Sequence, residues 1–135
     1  GLISKMPMMV GVQAEGCSPI ARAYLSGENE VISDDNPKTI AGGICDGLTG
    51  YSKDGTYTLN IIKKSKGFAI FVSDTEILKS QSELAKYEGV FVEPSSAATI
   101  AAINKSIQEK RLRKEDLLVS ILTGHGLKDM KSINI

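Results

Sequence analysis

GFAIFVSDTEILKSQSELAKYEG, residues 67–89, carries the pattern that decides the fold. Phe68 to Val72 is apolar throughout, as in a parallel strand covered on both faces. Ser73-Asp74-Thr75-Glu76 has the spacing of a capping box, in which the Ser73 hydroxyl meets the Glu76 N–H while the Glu76 side chain reaches back. Ile77, Leu78, Leu84 and Ala85 then make one apolar face, and Gly89 is a natural stop. A buried strand that runs straight into a capped helix is the building step of a βαβ unit.

Outward from this stretch the alternation repeats. Upstream, Met8 to Gln13 is a short apolar run with valines and reads as a strand. Ser18-Pro19 reads as a helix start: the serine hydroxyl is offered to free backbone N–H groups, and proline fits the first helical position, where its missing donor costs nothing. Gly27 to Asp35 is a polar loop. Asn36-Pro37 repeats the start signal before a helix at Thr39 to Ile44. Asp46 to Gly55 reads as a loop, and Thr56 to Ser65 as a helix with Leu59 and Ile62 on one face. Downstream, Val90 to Val92 reads as a third strand. Pro94-Ser95-Ser96 opens a helix from Ala97 to about Lys110. Its first half is small and apolar nearly all round and is expected to be buried. Leu117 to Leu122 reads as a fourth strand, ending at Thr123-Gly124. The expected fold is therefore α/β: a mostly parallel twisted sheet of about four strands with helices on both faces, residues 1–135 forming a single domain.

Bulk composition narrows the function. Sixteen basic and sixteen acidic residues cancel. No basic excess exists to neutralise a polymer of phosphates, so nucleic acid is not an expected partner. Apolar runs such as Gly67 to Val72 are far too short to span a bilayer. Gly1 to Val10 lacks the long apolar core of a signal peptide, and the absence of an initiator methionine suggests processing or truncation. Cys17 and Cys45 are far apart, form no C-x-x-C pair and have no histidine nearby. They read as two small buried thiols in a reducing compartment such as the cytoplasm, not as a zinc site. One histidine, His125, rules out most histidine triads and multi-histidine metal sites, and no metal is expected. Lys63, Lys64 and Lys66 read as a solvated helix end.

Parallel sheets bind ligands beyond the carboxyl ends of their strands. The places to watch are Ala14 to Ser18, Ser73-Asp74, Glu93 to Ser96 and Thr123 to Gly126. Thr123 stands at a strand end, and Gly124 and Gly126 let the backbone turn sharply and approach a ligand. On the residues alone, a ligand-facing turn and a plain strand-to-helix turn are equally good readings. For Glu93 the plain reading is stronger, a polar strand end with Ser95 or Ser96 as helix cap, and the same holds for Gly42-Gly43, where close packing of a helix is the stronger reading. His125, set in a glycine turn, is read as bonding local backbone.

Five blocks resemble the threonine synthase family in order. Val119 to Asp129 (V-S-I-L-T-G-H-G-L-K-D) resembles its C-terminal signature, and Val12 to Pro19 its Q-A-x-G-x-x-P segment. Thr39 to Ile44 resembles T-[IL]-A-x-x-I, Val72 to Ile77 V-[ST]-D-x-E-I, and Glu88 to Ala98 E-G-x-F-x-E-P-[AS]-S-A-A. The resemblance implies a C-terminal part of the large domain of a fold-type II pyridoxal-phosphate enzyme, a cytoplasmic lyase of threonine biosynthesis. The implied reaction converts O-phosphohomoserine and water to threonine and phosphate. It implies a small amino-acid substrate and a homo-oligomer. It places the Thr123 hydroxyl on the pyridine nitrogen, with Gly43 and Glu93 near the cofactor ring. The family's Schiff-base lysine and phosphate-binding glycine loop have no match here, so the chain alone is expected to be inactive. Cys45 to Tyr51 departs from the family's R-I-G-N-P-like run. That leaves a cysteate synthase, a serine/threonine dehydratase or a stand-alone non-catalytic binding module of the same fold open.

Overall fold

The computed structural model describes residues 3–130. Its sheet pairs β1 (Val10–Ala14) with β2 (Phe68–Val72) in parallel, Val10 opposite Phe68 and Ala14 opposite Val72. A parallel pair needs a long crossover. Here it contains α1 (Pro19–Leu25) and α2 (Ser52–Lys64), while α3 (Asp74–Glu88) and α4 (Pro94–Gln108) follow β2.

β2 alternates between two cores. Phe68, Ile70 and Val72 face α3 and α4, packing with Ile77, Ala97, Ala98, Ala101 and Ala102. Ala69 and Phe71 face α1 and α2, against Ala21 and Ile62. Helices thus cover both faces, as an apolar-throughout strand requires. Each fully buried branched side chain, Val72, Ile77 or Leu59 among them, contributes about 1.5–3 kcal/mol over its exposed state. The expected burial of the first half of α4 holds for its four alanines, while Ile100 and Ile103 are half-buried.

The Ser73–Glu76 capping box forms with both of its hydrogen bonds, and Gly89 ends α3 in the left-handed conformation at φ 67°. Other expectations need correction. Among the described residues the sheet has two strands, not four. The strand expected at Val90 to Val92 shrinks to one antiparallel bridge, Val92 to His125. Leu117 to Leu122 lies outside any helix or ladder. Apolar alternation specifies a strand's faces but not its neighbour, and a strand without a paired neighbour forms no ladder. Thr39 to Ile44 is not a helix; it gives one 3-10 turn, Gly42–Ile44. The Asp74 carboxylate accepts from the Thr39 hydroxyl and from the Ile40 N–H, which holds that backbone to α3 rather than to its own next turn. α2 starts at Ser52, four residues earlier than expected, and carries Gly55 inside it. Ser18 does not cap α1. Its hydroxyl donates to the Glu15 carbonyl, and the Gln13 side-chain oxygen accepts from the N–H groups of Ile20 (2.9 Å) and Ala21 (3.0 Å). Among the described residues no helix is long and apolar enough to cross a membrane.

Candidate functional site

One segment laces the strand ends together. Leaving the crossover, the Lys38 N–H donates to the Gly16 carbonyl just past β1. Thr39 and Ile40 bond Asp74, just past β2. The Gly43 N–H then donates to Ser95 Oγ at 2.9 Å, in the first turn of α4. Three of the four places marked by the strand-end rule are thus joined by residues 38–43. The fourth joins through Ser96, one residue on.

Around Ser96 the geometry is compact. Ser96 is 1 % exposed. Its Oγ accepts from the Gly124 N–H at 3.0 Å and lies 3.2 Å from Thr123 Oγ1. The Thr123 hydroxyl donates to Glu93 Oε1 over a long 3.4 Å. Glu93 is the N-cap residue of α4 and is 7 % exposed. Its Oε2 pairs with Lys128 Nζ at 3.4 Å, so a buried carboxylate has a compensating charge. The backbone fixes this arrangement too. The Glu93 N–H donates to the Gly124 carbonyl at 3.0 Å and the Gly126 N–H to the Phe91 carbonyl at 3.1 Å. Thr123 itself is exposed.

Of the three residues singled out from sequence, Thr123 and Glu93 meet directly. Gly43 reaches the same turn of α4 from the other side. A Cβ at Gly43 would come within 2.8 Å of Ser95 Oγ, so the glycine permits the close approach to α4 that its N–H bond to Ser95 needs. Three members are not assigned by the sequence reading: Ser95, Ser96 and Lys128. The expected cap at Ser95 or Ser96 is absent, since α4 has no side-chain cap, and both hydroxyls reach other segments. Lys128 stood in the quoted motif without an assigned partner. The signal for Ser96 was its place: a buried hydroxyl one turn into a helix needs a partner from elsewhere.

His125 behaves as read from sequence: its Nδ1 accepts from the Leu127 N–H at 3.1 Å, and its ring sits edge-on to Phe91. Cys17 and Cys45 come together despite their separation. Burial first, and the neighbouring Cys45 thiol second, push the Cys17 thiol up to about 11. The groove of about 360 Å³ between α3 and α4, lined by Glu76, Ser80 and Lys105, contains none of Thr123, Glu93 or Gly43. An open mouth at strand ends need not be an enclosed cavity, and the converging polar groups mark the site better than volume does.

The sequence matches the family model described as "Pyridoxal-phosphate dependent enzyme" over residues 2–124. It is 40% identical over 129 residues to a threonine synthase of Methanocaldococcus jannaschii, covering 96% of this chain and 31% of that protein. It is 38% identical over 133 residues to one from Methanosarcina acetivorans, covering 98% of this chain and 32% of that protein. The chain thus spans about a third of the length of the curated relatives it matches. A solved serine racemase from Dictyostelium discoideum superposes with a TM-score of 0.59 at 28% identity, over 84% of this chain and 34% of that one.

Proposed function

The chain belongs to the pyridoxal-phosphate dependent enzymes, with the α/β architecture of their fold type II, and from that premise we propose that it is part of a threonine synthase. In this reading its 135 residues are one domain within a larger, cytoplasmic catalytic unit. That unit converts O-phosphohomoserine and water to threonine and phosphate, and this chain by itself does not turn over. The observation that carries the reading is Thr123, an exposed residue in the Thr123–Gly126 turn whose hydroxyl meets Ser96 and Glu93.

The donor set suits one end of the cofactor. Pyridoxal phosphate, when bound, supplies an electron sink for carbanions. Thr123 would meet the ring nitrogen with a neutral hydroxyl. A carboxylate at that position would favour a protonated nitrogen, and a hydroxyl carries no such charge. Glu93 lies behind Thr123, and Lys128 offsets its charge. Gly43, without a Cβ, lies close against Ser95 in the first turn of α4. The phosphate end and the linking lysine are not assigned to any residue here. This agrees with a chain that contributes one wall of the site.

The test is a chimera in which this chain replaces the matching third of the Methanocaldococcus jannaschii protein. The chimera is expected to bind pyridoxal phosphate, seen as visible absorbance, and to release phosphate and threonine from O-phosphohomoserine, whereas the isolated chain does neither. Thr123→Val in the chimera lowers kcat on the order of 100-fold, as removal of one preorganised hydrogen bond does. Ammonia release from serine or threonine, without phosphate release from O-phosphohomoserine, would replace this reading with a dehydratase.

A further inference from the structure

We propose that Cys17 and Cys45 form a reversible oxidation site: a low-molecular-weight disulfide converts the two thiols to a Cys17–Cys45 bond, which ties residues 38–45 to the turn after β1 at both of their ends. The site stands apart from the cofactor reading above.

Both positions lie outside the residues that carry the family resemblance. Cys17 falls on an open position of Q-A-x-G-x-x-P, and Cys45 opens the run that departs from R-I-G-N-P. They are the two cysteines of the sequence. Cys17 sits in the turn after β1, where its N–H donates to the Ala14 carbonyl at 2.9 Å, and its side chain is fully buried. Cys45 follows the 3-10 turn Gly42–Ile44, with its N–H on the Gly42 carbonyl at 3.3 Å, and is half-buried. The fold sets the two thiols in hydrogen-bond contact, and the Asp46 N–H also meets the Cys17 sulfur. Side chains that already touch can be bridged with little backbone movement.

The surroundings hold both sulfurs in place. Before Cys45, the Lys38 N–H donates to the Gly16 carbonyl at 2.8 Å. After it, the Gly47 carbonyl accepts from the Asp34 N–H at 2.7 Å, and the Asp46 carboxylate accepts from the Leu48 N–H and the Tyr51 hydroxyl. A contact between two anchored turns persists, whereas a contact between two loose loops does not.

Exposure sets the order of the chemistry. Cys45 is the thiol that a small disulfide can reach. Its thiolate attacks one sulfur of the small disulfide, forms a mixed disulfide and releases the first small thiolate, which takes up the proton that Cys45 lost. Cys17 then attacks the Cys45 sulfur, and its proton leaves with the second small thiol. Two protein thiols lose two electrons, and the small disulfide gains them as it leaves as two thiols. Excess small thiol runs the same steps backwards. Cys17 does not react first, because burial and the neighbouring thiol keep it protonated, and the thiolate is the nucleophile. A disulfide of this kind in a reducing compartment is transient and reports redox state.

The bond would act on the segment that laces the strand ends. Residues 38–45 are already tied to the β1 turn at one end, through Lys38 and Gly16. The disulfide ties the other end to the next residue of the same turn. Between the two ties lies Gly43, whose N–H donates to Ser95 Oγ at 2.9 Å. Oxidation therefore stiffens the segment that joins the β1 turn to α4.

The experiment equilibrates the 135-residue chain, and in parallel the chimera, with buffers of oxidised and reduced glutathione. Each protein is then alkylated and digested without reduction. Both are expected to yield a peptide joined through Cys17 and Cys45. The equilibrium constant for the joined form should be on the order of 100-fold larger in native buffer than in urea, because the fold already closes that loop. Cys17→Ser should trap glutathione on Cys45, and Cys45→Ser should leave Cys17 unmodified. Amide exchange over residues 39–44 should slow about tenfold or more in the oxidised form. Absence of the joined peptide from both proteins, or glutathione arriving first on Cys17, overturns the site. Unchanged exchange over residues 39–44 overturns its hold on the segment. A chimera that fails to bind pyridoxal phosphate but yields the joined peptide overturns the cofactor reading and supports this one.

Discussion

Gly124 has no side chain, and the space where one would stand belongs to Glu93. A Cβ built there would press on Glu93 Oε1 and Cδ and come within 2.9 Å of Oε2. Glu93 cannot swing away cheaply, because it is buried, its backbone N–H bonds Gly124 itself, and its carboxylate holds Lys128. Gly124→Ala therefore forces a crowded group to move and breaks the ion pair and the Thr123 contact together. Overpacking of this kind costs about 1–3 kcal/mol. The expected outcome is a lower urea midpoint at unchanged slope. The double variant Gly124→Ala with Glu93→Ala should lose less than the sum of the two single losses, because the clash disappears with the carboxylate. Strict additivity would mean that the two residues do not touch in solution.

At the level of elements, α3 shows what local sequence can specify. Its start, face and stop all lie within residues 73–89. The Ser73 N–H donates to Glu76 Oε2 at 2.7 Å and the Glu76 N–H to Ser73 Oγ at 3.2 Å, closing the box the spacing foretold. Ser73→Ala removes one half and should cost about 1 kcal/mol, read as a fall in Tm of about 4 °C. An unchanged Tm would mean that water satisfies that turn equally well. α2 was less legible. Gly55 reads as a loop residue, yet it is buried in the helix because Leu48 and Val31 lie where its side chain would be. Thr39 to Ile44 carried a helix start signal, and a distant carboxylate, Asp74, overrode it. The site follows the same division. Thr123 and Glu93 are named by the strand-end reading and by the family blocks, and the fold brings the two together, although the stretch before Thr123 forms no strand. Ser96 and Lys128 were not, because their roles depend on which segments the fold brings opposite them.

For the molecule as a whole, the unfinished part is residues 117–122. Leu117, Val119 and Ile121 are 96%, 82% and 64% exposed, while Leu118 and Leu122 are each 40% exposed. Ser120 between them bonds Thr99 of α4. That is the period-two pattern of a strand with one side against α4 and the other in water. Among the described residues no backbone hydrogen bond ties this stretch to another segment. An uncharged, apolar stretch with open N–H and C=O groups is a template for further pairing. The isolated chain is therefore expected to self-associate, with sedimentation showing a weight-average mass that rises with concentration. Leu117→Lys with Ile121→Lys should hold it monomeric and change stability by no more than about 0.5 kcal/mol, because both side chains are largely solvent-facing. A wild-type chain that stays monomeric at high concentration would show that this stretch is covered in solution by its own fold. If the double variant associates as strongly as the wild type, the contact lies elsewhere, and the exposed methionines at 6, 8 and 9 become the next surface to test.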